Sequence, residues 1–200
     1  MTNASTGAAR VRADLLESAR VKTELAEMLS AAIADAAGAV VAAYRSGGKT
    51  ILFGNGGSAT DALHIAAEWT GKLGPDRPAL PSIALPANPA EVTAIANDYG
   101  YGHVFARGIE AHGRPGDVAI GLSTSGNSPN VLAGLEEARI RGLVTIGLTG
   151  RGGGKLADRV DHPLVVPSQQ TARIQEAHIA IGHAIATLVD EALFPEVRER

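Results

Sequence analysis

Five short apolar runs, TILFGN, PSIALP, DVAIGLS, LVTIGLT and DHPLVVP, alternate along the chain with segments of helical periodicity. This is the α/β rhythm of a parallel sheet, and it excludes most other architectures. Helices are predicted over 58–72, 102–112, 128–141 and 171–193, the last (RIQEAHIAIGHAIATLVDEAL) being a long unbroken pattern. Ahead of the first run, Val11 to Tyr44 carries apolar residues at helical spacing, rich in Ala and Leu and free of proline, so one or two helices are expected there. Gly47 and Gly48 stop them. Five strands are enough for one doubly wound layer.

Two hundred residues suit one domain able to bury a real core. With 45% hydrophobic and 20% charged residues and a net charge of −3, the chain reads as an ordinary soluble globule with no nucleic-acid partner announced by charge. It has no cysteine, so disulfides and thiolate metal sites are excluded and any metal must be held by imidazole, carboxylate or amide oxygen. The opening MTNASTGAARVRAD lacks a signal-peptide layout, and no apolar run is expected to approach the ~18 residues of a membrane span. A cytoplasmic protein without membrane partners is expected. The apolar stretch SAAIADAAGAVVAAY is more than one thin sheet covers, so packing against a second subunit is expected as well.

Two stretches, ILFGNGGSATDALHIAAE and AIGLSTSGNSPNVLAGLEE, both run strand, Gly/Ser turn, helix, and in open parallel sheets such turns lie at the carboxyl edge where ligands bind. In the second, free amides at a helix start combine with the hydroxyls of Ser123, Thr124, Ser125 and Ser128 into a neutral cradle for a phosphate. The competing use is a polar turn in which Ser125 or Asn127 merely caps the helix. Neither GxxxxGK[ST] nor GxGxxG spacing is present, so nucleoside triphosphate or dinucleotide binding is not indicated.

In the first, His64 and Glu68 stand at i and i+4, where they project from one helix face and can reach a common atom. Alone, such a pair is more often a surface contact. The last helix adds Gln175, Glu176, His178 and His183, an unusual density of imidazoles on an apolar helix. Gln175 and His183 are roughly 12 Å apart along the axis at ~1.5 Å per residue, so spacing does not select them. Gln175 with His178, or Glu176 with His183, are equally legitimate pairs by helix geometry.

GNGGSATDALHIAAEWTG, TAIANDYGY, GLSTSGNSPNV and RIQEAHIAIGH, in this order and at these separations, resemble the phosphoheptose isomerases, the sedoheptulose 7-phosphate isomerase branch of the sugar-isomerase (SIS) domain family. The similarity runs from about residue 20 to 194. It implies a single SIS domain over 1–200, with an amino-terminal helical segment (1–46) and an α/β core (47–194). The fold implied is flavodoxin-like and three-layered around a central five-stranded parallel sheet. It further implies a cytoplasmic homotetramer with active sites built between neighbours and one zinc ion (Zn2+) per subunit.

Carried onto matching positions, the resemblance makes His64, Glu68, Gln175 and His183 the metal ligands; the chemistry of isomerisation then makes Glu68 the expected base at carbon and His183 its catalytic partner at oxygen. The resemblance also makes Asn55, Gly56, Gly57, Asn97, Asp98, Ser123, Thr124, Ser125 and Ser128 substrate contacts, Ser58 a further one, and Glu68 and Gln175 substrate-facing too. The Ser/Thr loop would take the phosphate and the NDYG loop the sugar hydroxyls. The implied reaction interconverts sedoheptulose 7-phosphate and D-glycero-D-manno-heptose 7-phosphate, opening ADP/GDP-heptose synthesis. Leu63 and Lys72 depart from the residues many members carry, though neither is an implied ligand.

The rival within the branch is a non-catalytic tetrameric replication-initiation regulator, whose pattern lacks the counterparts of Glu68 and His183 that this chain keeps. A sugar-phosphate sensor is disfavoured because no helix-turn-helix segment is attached. Asp61 is left as a first-turn carboxylate or an aid to ring opening. His103 and His112 are read as surface or core histidines, Trp69 and the aromatics between 99 and 105 as packing residues, and the terminal PEVRER as a solvated end.

Overall fold

The fold, described for residues 4–197 of a computed structural model, is built on a five-stranded parallel sheet in the order β2-β1-β3-β4-β5. The strands are β1 (Thr50–Gly54), β2 (Ser82–Ala84), β3 (Val118–Ser123), β4 (Val144–Thr149) and β5 (His162–Val165), each inside one of the five apolar runs. This order is the flavodoxin-like one, with its reversal of direction between β1 and β3. Side chains alternate across the sheet with period two. Leu52, Val118, Ile120 and Leu122 face one apolar cluster, whereas Ile51, Phe53 and Ala119 face the other.

The first face is covered by α1 (Ala4–Arg45), α2 (Gly57–Thr70) and α6 (Thr171–Leu193), which supply Val21, Ile33, Val40, Ile65, Trp69, Ile181 and Ile185 to its core. The second is covered by α4 (Val104–His112) and α5 (Pro129–Ile140), through Phe105, Ile109, Val131 and Leu135. The result is the expected three-layer α/β fold. The amino-terminal pattern resolves into one continuous helix of 42 residues. No proline interrupts it, and every third or fourth residue from Val21 to Val41 is drawn onto the sheet and α6, so nothing breaks the hydrogen-bond ladder.

Two expectations need correction. A sixth helix, α3 (Pro89–Tyr99), was not expected from the sequence. Its apolar stripe is thin, with Val92, Ile95 and Ala96 only partly buried and no residue fully so, which left periodicity weak. The start signal was nevertheless there: Asn88 accepts a hydrogen bond from the Glu91 N–H and Pro89 occupies the first helical position. Asn97 and Asp98 therefore lie in the last turn of a helix, ended by Gly100 at φ 85°, and not in a loop.

The second correction concerns membranes. Helix α1 is long and apolar enough, by length and composition only, to cross one. Its apolar content has another outlet here, because Val21, Leu25, Ile33, Ala36, Val40 and Val41 pack into the core of the first face. Toward the amino terminus the helix leaves that face, and Val11, Leu15 and Leu16 are exposed by 59%, 66% and 54%. Of PEVRER, Arg198 to Arg200 lie outside the described residues.

Candidate active site

Helices α2 and α6 run side by side in the same direction, because two glycines let them touch. A Cβ on Gly182 would stand 2.5 and 2.6 Å from two atoms of Ile65, and one on Gly57 would stand 2.2 Å from the Gln175 Nε2. The starts of the two helices thus meet at Gly57 and Gln175, and their middles at Ile65 and Gly182. That register carries His64, Glu68 and His183 to one place. The Nε2 atoms of His64 and His183 are 3.1 Å apart, and Glu68 Oε1 lies 2.9 Å from the first and 3.9 Å from the second. All three ligand atoms fall within 4.8 Å of one another.

Two imidazole nitrogens this close cannot both present bare lone pairs, or both N–H groups, to each other. Either one proton or one cation must lie between them. A tetrahedral zinc with Zn–N bonds of about 2.0–2.1 Å would hold its nitrogens about 3.3 Å apart, close to the separation observed. The donor set, hard and intermediate bases without sulfur, suits that ion. Gly182→Ala tests how far the contact between helices governs the cluster. Better helix propensity would add ~1 kcal/mol, whereas overpacking against Ile65, itself 2% exposed, costs about 1–3 kcal/mol. A net loss of stability is expected, measured by denaturant titration.

The other imidazole of α6 is elsewhere. His178 stands about 140° around the helix from His183 at 3.6 residues per turn, so it turns into the core, where it is 0% exposed. Both its ring nitrogens lack a standard hydrogen bond, although the Thr149 backbone lies near enough to favour the charged ring slightly. Burial prevails and lowers its pKa from 6.5 to about 4. Below pH 6.5 the unfolded chain takes up a proton that the folded chain refuses, so stability falls as pH drops toward 4. At ~1.36 kcal/mol per unit the loss approaches about 3 kcal/mol. His178→Leu should flatten that part of the pH–stability curve, measured by urea denaturation from pH 4 to 7. Glu176, the remaining polar candidate on α6, is paired with Arg173.

The two strand–turn–helix units sit on neighbouring strands and meet at their turns. Asn55 and Gly56, with Gly56 at φ 56° ahead of α2, follow β1. Ser123, Thr124, Ser125 and Ser128 follow β3, where the Ser123 and Ser128 hydroxyls are hydrogen-bonded at 2.9 Å. Ser128 is the N-cap of α5 but makes no side-chain cap, and Asn127 turns back to donate to the Ser125 carbonyl at 2.9 Å. The competing use, in which Ser125 or Asn127 caps α5, is not seen among the described residues; the Ser125 Oγ instead accepts from the Asn127 backbone N–H at 3.2 Å. Ser58, 4% exposed, is packed beneath Gly54, and Asn97 and Asp98 are exposed and bonded to each other at 2.8 Å.

Asp61 lies one turn before His64 with a buried, unpartnered Oδ2, and burial raises its pKa to about 6 against the opposing pull of His64. The aromatics between 99 and 105 divide. Phe105 is a core residue, but Tyr99 and Tyr101 are 54% and 53% exposed. Arg107 stacks 4.2 Å over the Tyr99 ring, and Tyr101 donates its hydroxyl to Asn55 Oδ1 at 2.9 Å, so neither is a packing residue. Trp69 is fully buried.

Sequence reasoning missed Arg77. Its side chain, 1% exposed, pairs with Asp190 of α6 at 2.6 Å and donates to the carbonyls of Glu68 (2.7 Å) and Trp69 (3.0 Å) at the end of α2. It ties together the two helices that carry the cluster. Nothing in a lone Arg before a proline marks such a role.

Residues 15–150 match the SIS domain family model. The phosphoheptose isomerase of Rhodospirillum rubrum is 55% identical over 81% of this chain and 86% of its own length. Among solved structures, the phosphoheptose isomerase of Neisseria gonorrhoeae is 44% identical with a TM-score of 0.86, over 91% of this chain and 97% of that one. A phosphoheptose isomerase of Francisella tularensis reaches a TM-score of 0.89 at 36% identity, over 92% of this chain and 98% of that one. Agreement of this extent, in both sequence and backbone, means that the chain belongs to the SIS domain family, among its phosphoheptose isomerases.

Proposed function

We propose that this protein is an aldose–ketose isomerase that interconverts sedoheptulose 7-phosphate and D-glycero-D-manno-heptose 7-phosphate, the opening step of ADP/GDP-heptose synthesis. The observation that carries the reading is the convergence of His64, Glu68 and His183 from two helices 119 residues apart at His64 and His183, beside turns rich in neutral donors. The relatives' common name, phosphoheptose isomerase, supports the substrate class.

Moving a carbonyl between C1 and C2 requires taking a proton from carbon, shifting one on oxygen, and stabilising the enediolate between. Glu68, whose side chain is 16% exposed, takes the carbon-bound proton. His183 holds or returns a proton at the oxygen, and the roles reverse in the opposite direction. Ser123, Thr124, Ser125 and Ser128 receive the phosphate at the start of α5, and Asn55, Gly56, Gly57, Ser58, Asn97 and Asp98 contact the sugar phosphate. Zinc would be held by His64, Glu68, Gln175 and His183, and when bound supplies Lewis-acid polarisation of the substrate oxygens. A carboxylate held by a dication would be a weak base, so at least one of these ligands would have to loosen when substrate binds.

The exposed Val11, Leu15 and Leu16 of α1, with Met28 at 65%, support self-association, which we place at a cytoplasmic homotetramer. The test of the function is incubation of the purified protein with sedoheptulose 7-phosphate, with chelator and with added zinc. Aldoheptose phosphate formed with zinc and lost with chelator is the expected result. Its absence under all conditions would refute the assignment.

A further inference from the structure

We infer that Asn130 is a positioning residue, which with Tyr101 locks the Asn55 side chain so that it faces a ligand only as a hydrogen-bond donor. Asn130 is the second residue of α5 and is 3% exposed, so it lies behind the site. The orientation of its carboxamide follows from one atom of fixed character. The Val131 backbone N–H can only donate, and it donates to Asn130 Oδ1 at 3.0 Å. The Asn130 Nδ2 must then be the atom that faces Asn55 Oδ1, to which it donates at 2.8 Å.

The same logic passes to the next residue. Asn55 Nδ2 donates back to Asn130 Oδ1 at 2.8 Å, and the Tyr101 hydroxyl donates to Asn55 Oδ1 at 2.9 Å. Both lone pairs of Asn55 Oδ1 are thereby engaged, as is one of its two N–H bonds. Among the described residues nothing engages the other N–H, and because the carboxamide is planar its direction is set. A backbone amide of α5 thus dictates, through two side chains, the polarity that the β1 turn offers. A partner for that N–H must be an acceptor, as phosphate, carbonyl and hydroxyl oxygens are.

The inference rests on the reading that the Asn55 turn lines a sugar-phosphate site, and its test keeps the two separable. At neutral pH Asn130→Asp places a second acceptor against Asn55 Oδ1. Flipping Asn55 only moves the conflict to its other end, so Asn55 must swing away. Tyr101→Phe removes one donor from an exposed side chain and leaves the core untouched, which keeps the test valid if the first variant folds poorly.

The readouts are the dissociation constant for sedoheptulose 7-phosphate by calorimetry and the side-chain amide resonances of Asn55, assigned by their loss in Asn55→Ala. Asn130→Asp is expected to weaken binding about tenfold and Tyr101→Phe about threefold, both shifting those resonances. In an Asn55→Ala background neither should weaken binding further. Additive losses in that background, or resonances unmoved by both variants, would overturn the inference. Binding that follows this pattern without any isomerisation would leave it standing and refute the reaction instead. If sedoheptulose 7-phosphate fails to bind, the resonances alone decide.

Discussion

Glu68→Gln is expected to lower turnover by about 10³-fold while sugar-phosphate binding stays within a few-fold of the wild type. A positioned general base contributes ~10²–10⁴-fold, and an amide of the same shape cannot take a proton from carbon. Binding should survive because the proposed phosphate contacts, the Ser123 and Ser128 hydroxyls and the start of α5, lie on another turn and make no contact with Glu68. The carboxylate is also one of three converging ligand atoms, so the assay must be run with saturating zinc and with metal content measured. Loss of turnover with metal still bound isolates the proton transfer. Turnover near the wild-type value would remove Glu68 as the base.

The second large effect concerns stability. Arg77→Ala should cost about 3–5 kcal/mol, the range for breaking a buried ion pair from one side. Asp190, with a side chain 14% exposed, would be left without its partner, and burial already raises its pKa in spite of the guanidinium. The carbonyls of Glu68, Trp69, Gly71 and Pro78 would also lose a donor. Arg77→Lys keeps the charge but not the planar fork, so an intermediate loss is expected. Urea denaturation at one protomer concentration measures both. A loss below about 1 kcal/mol for the alanine variant would show that the ion pair does not hold α2 to α6.

The strands and the two turn motifs were legible because each is a local pattern. An apolar run between Gly/Pro signals reads as a strand whatever surrounds it, and all five did. Helix α3 was missed for the same reason in reverse, since its stabilisation comes from partial burial and caps rather than from a strong apolar stripe. On α6, spacing left Gln175, Glu176, His178 and His183 open. Which of them turn toward α2 depends on the face that Gly182 presents to Ile65, a contact between residues 117 apart in number.

What the sequence determined alone was the kind of sheet, the edge at which its turns gather, and, through four motifs, the family. Tertiary structure decided the rest: that His178 is a core residue, that Arg77 clamps two helices, and that Asn130 sets the polarity of Asn55. The physical reason is that periodicity and turn chemistry act between neighbours in the chain. Burial and hydrogen-bond direction depend instead on groups such as Arg77 and Asp190, 113 residues apart, that meet only once the sheet and its helices have packed.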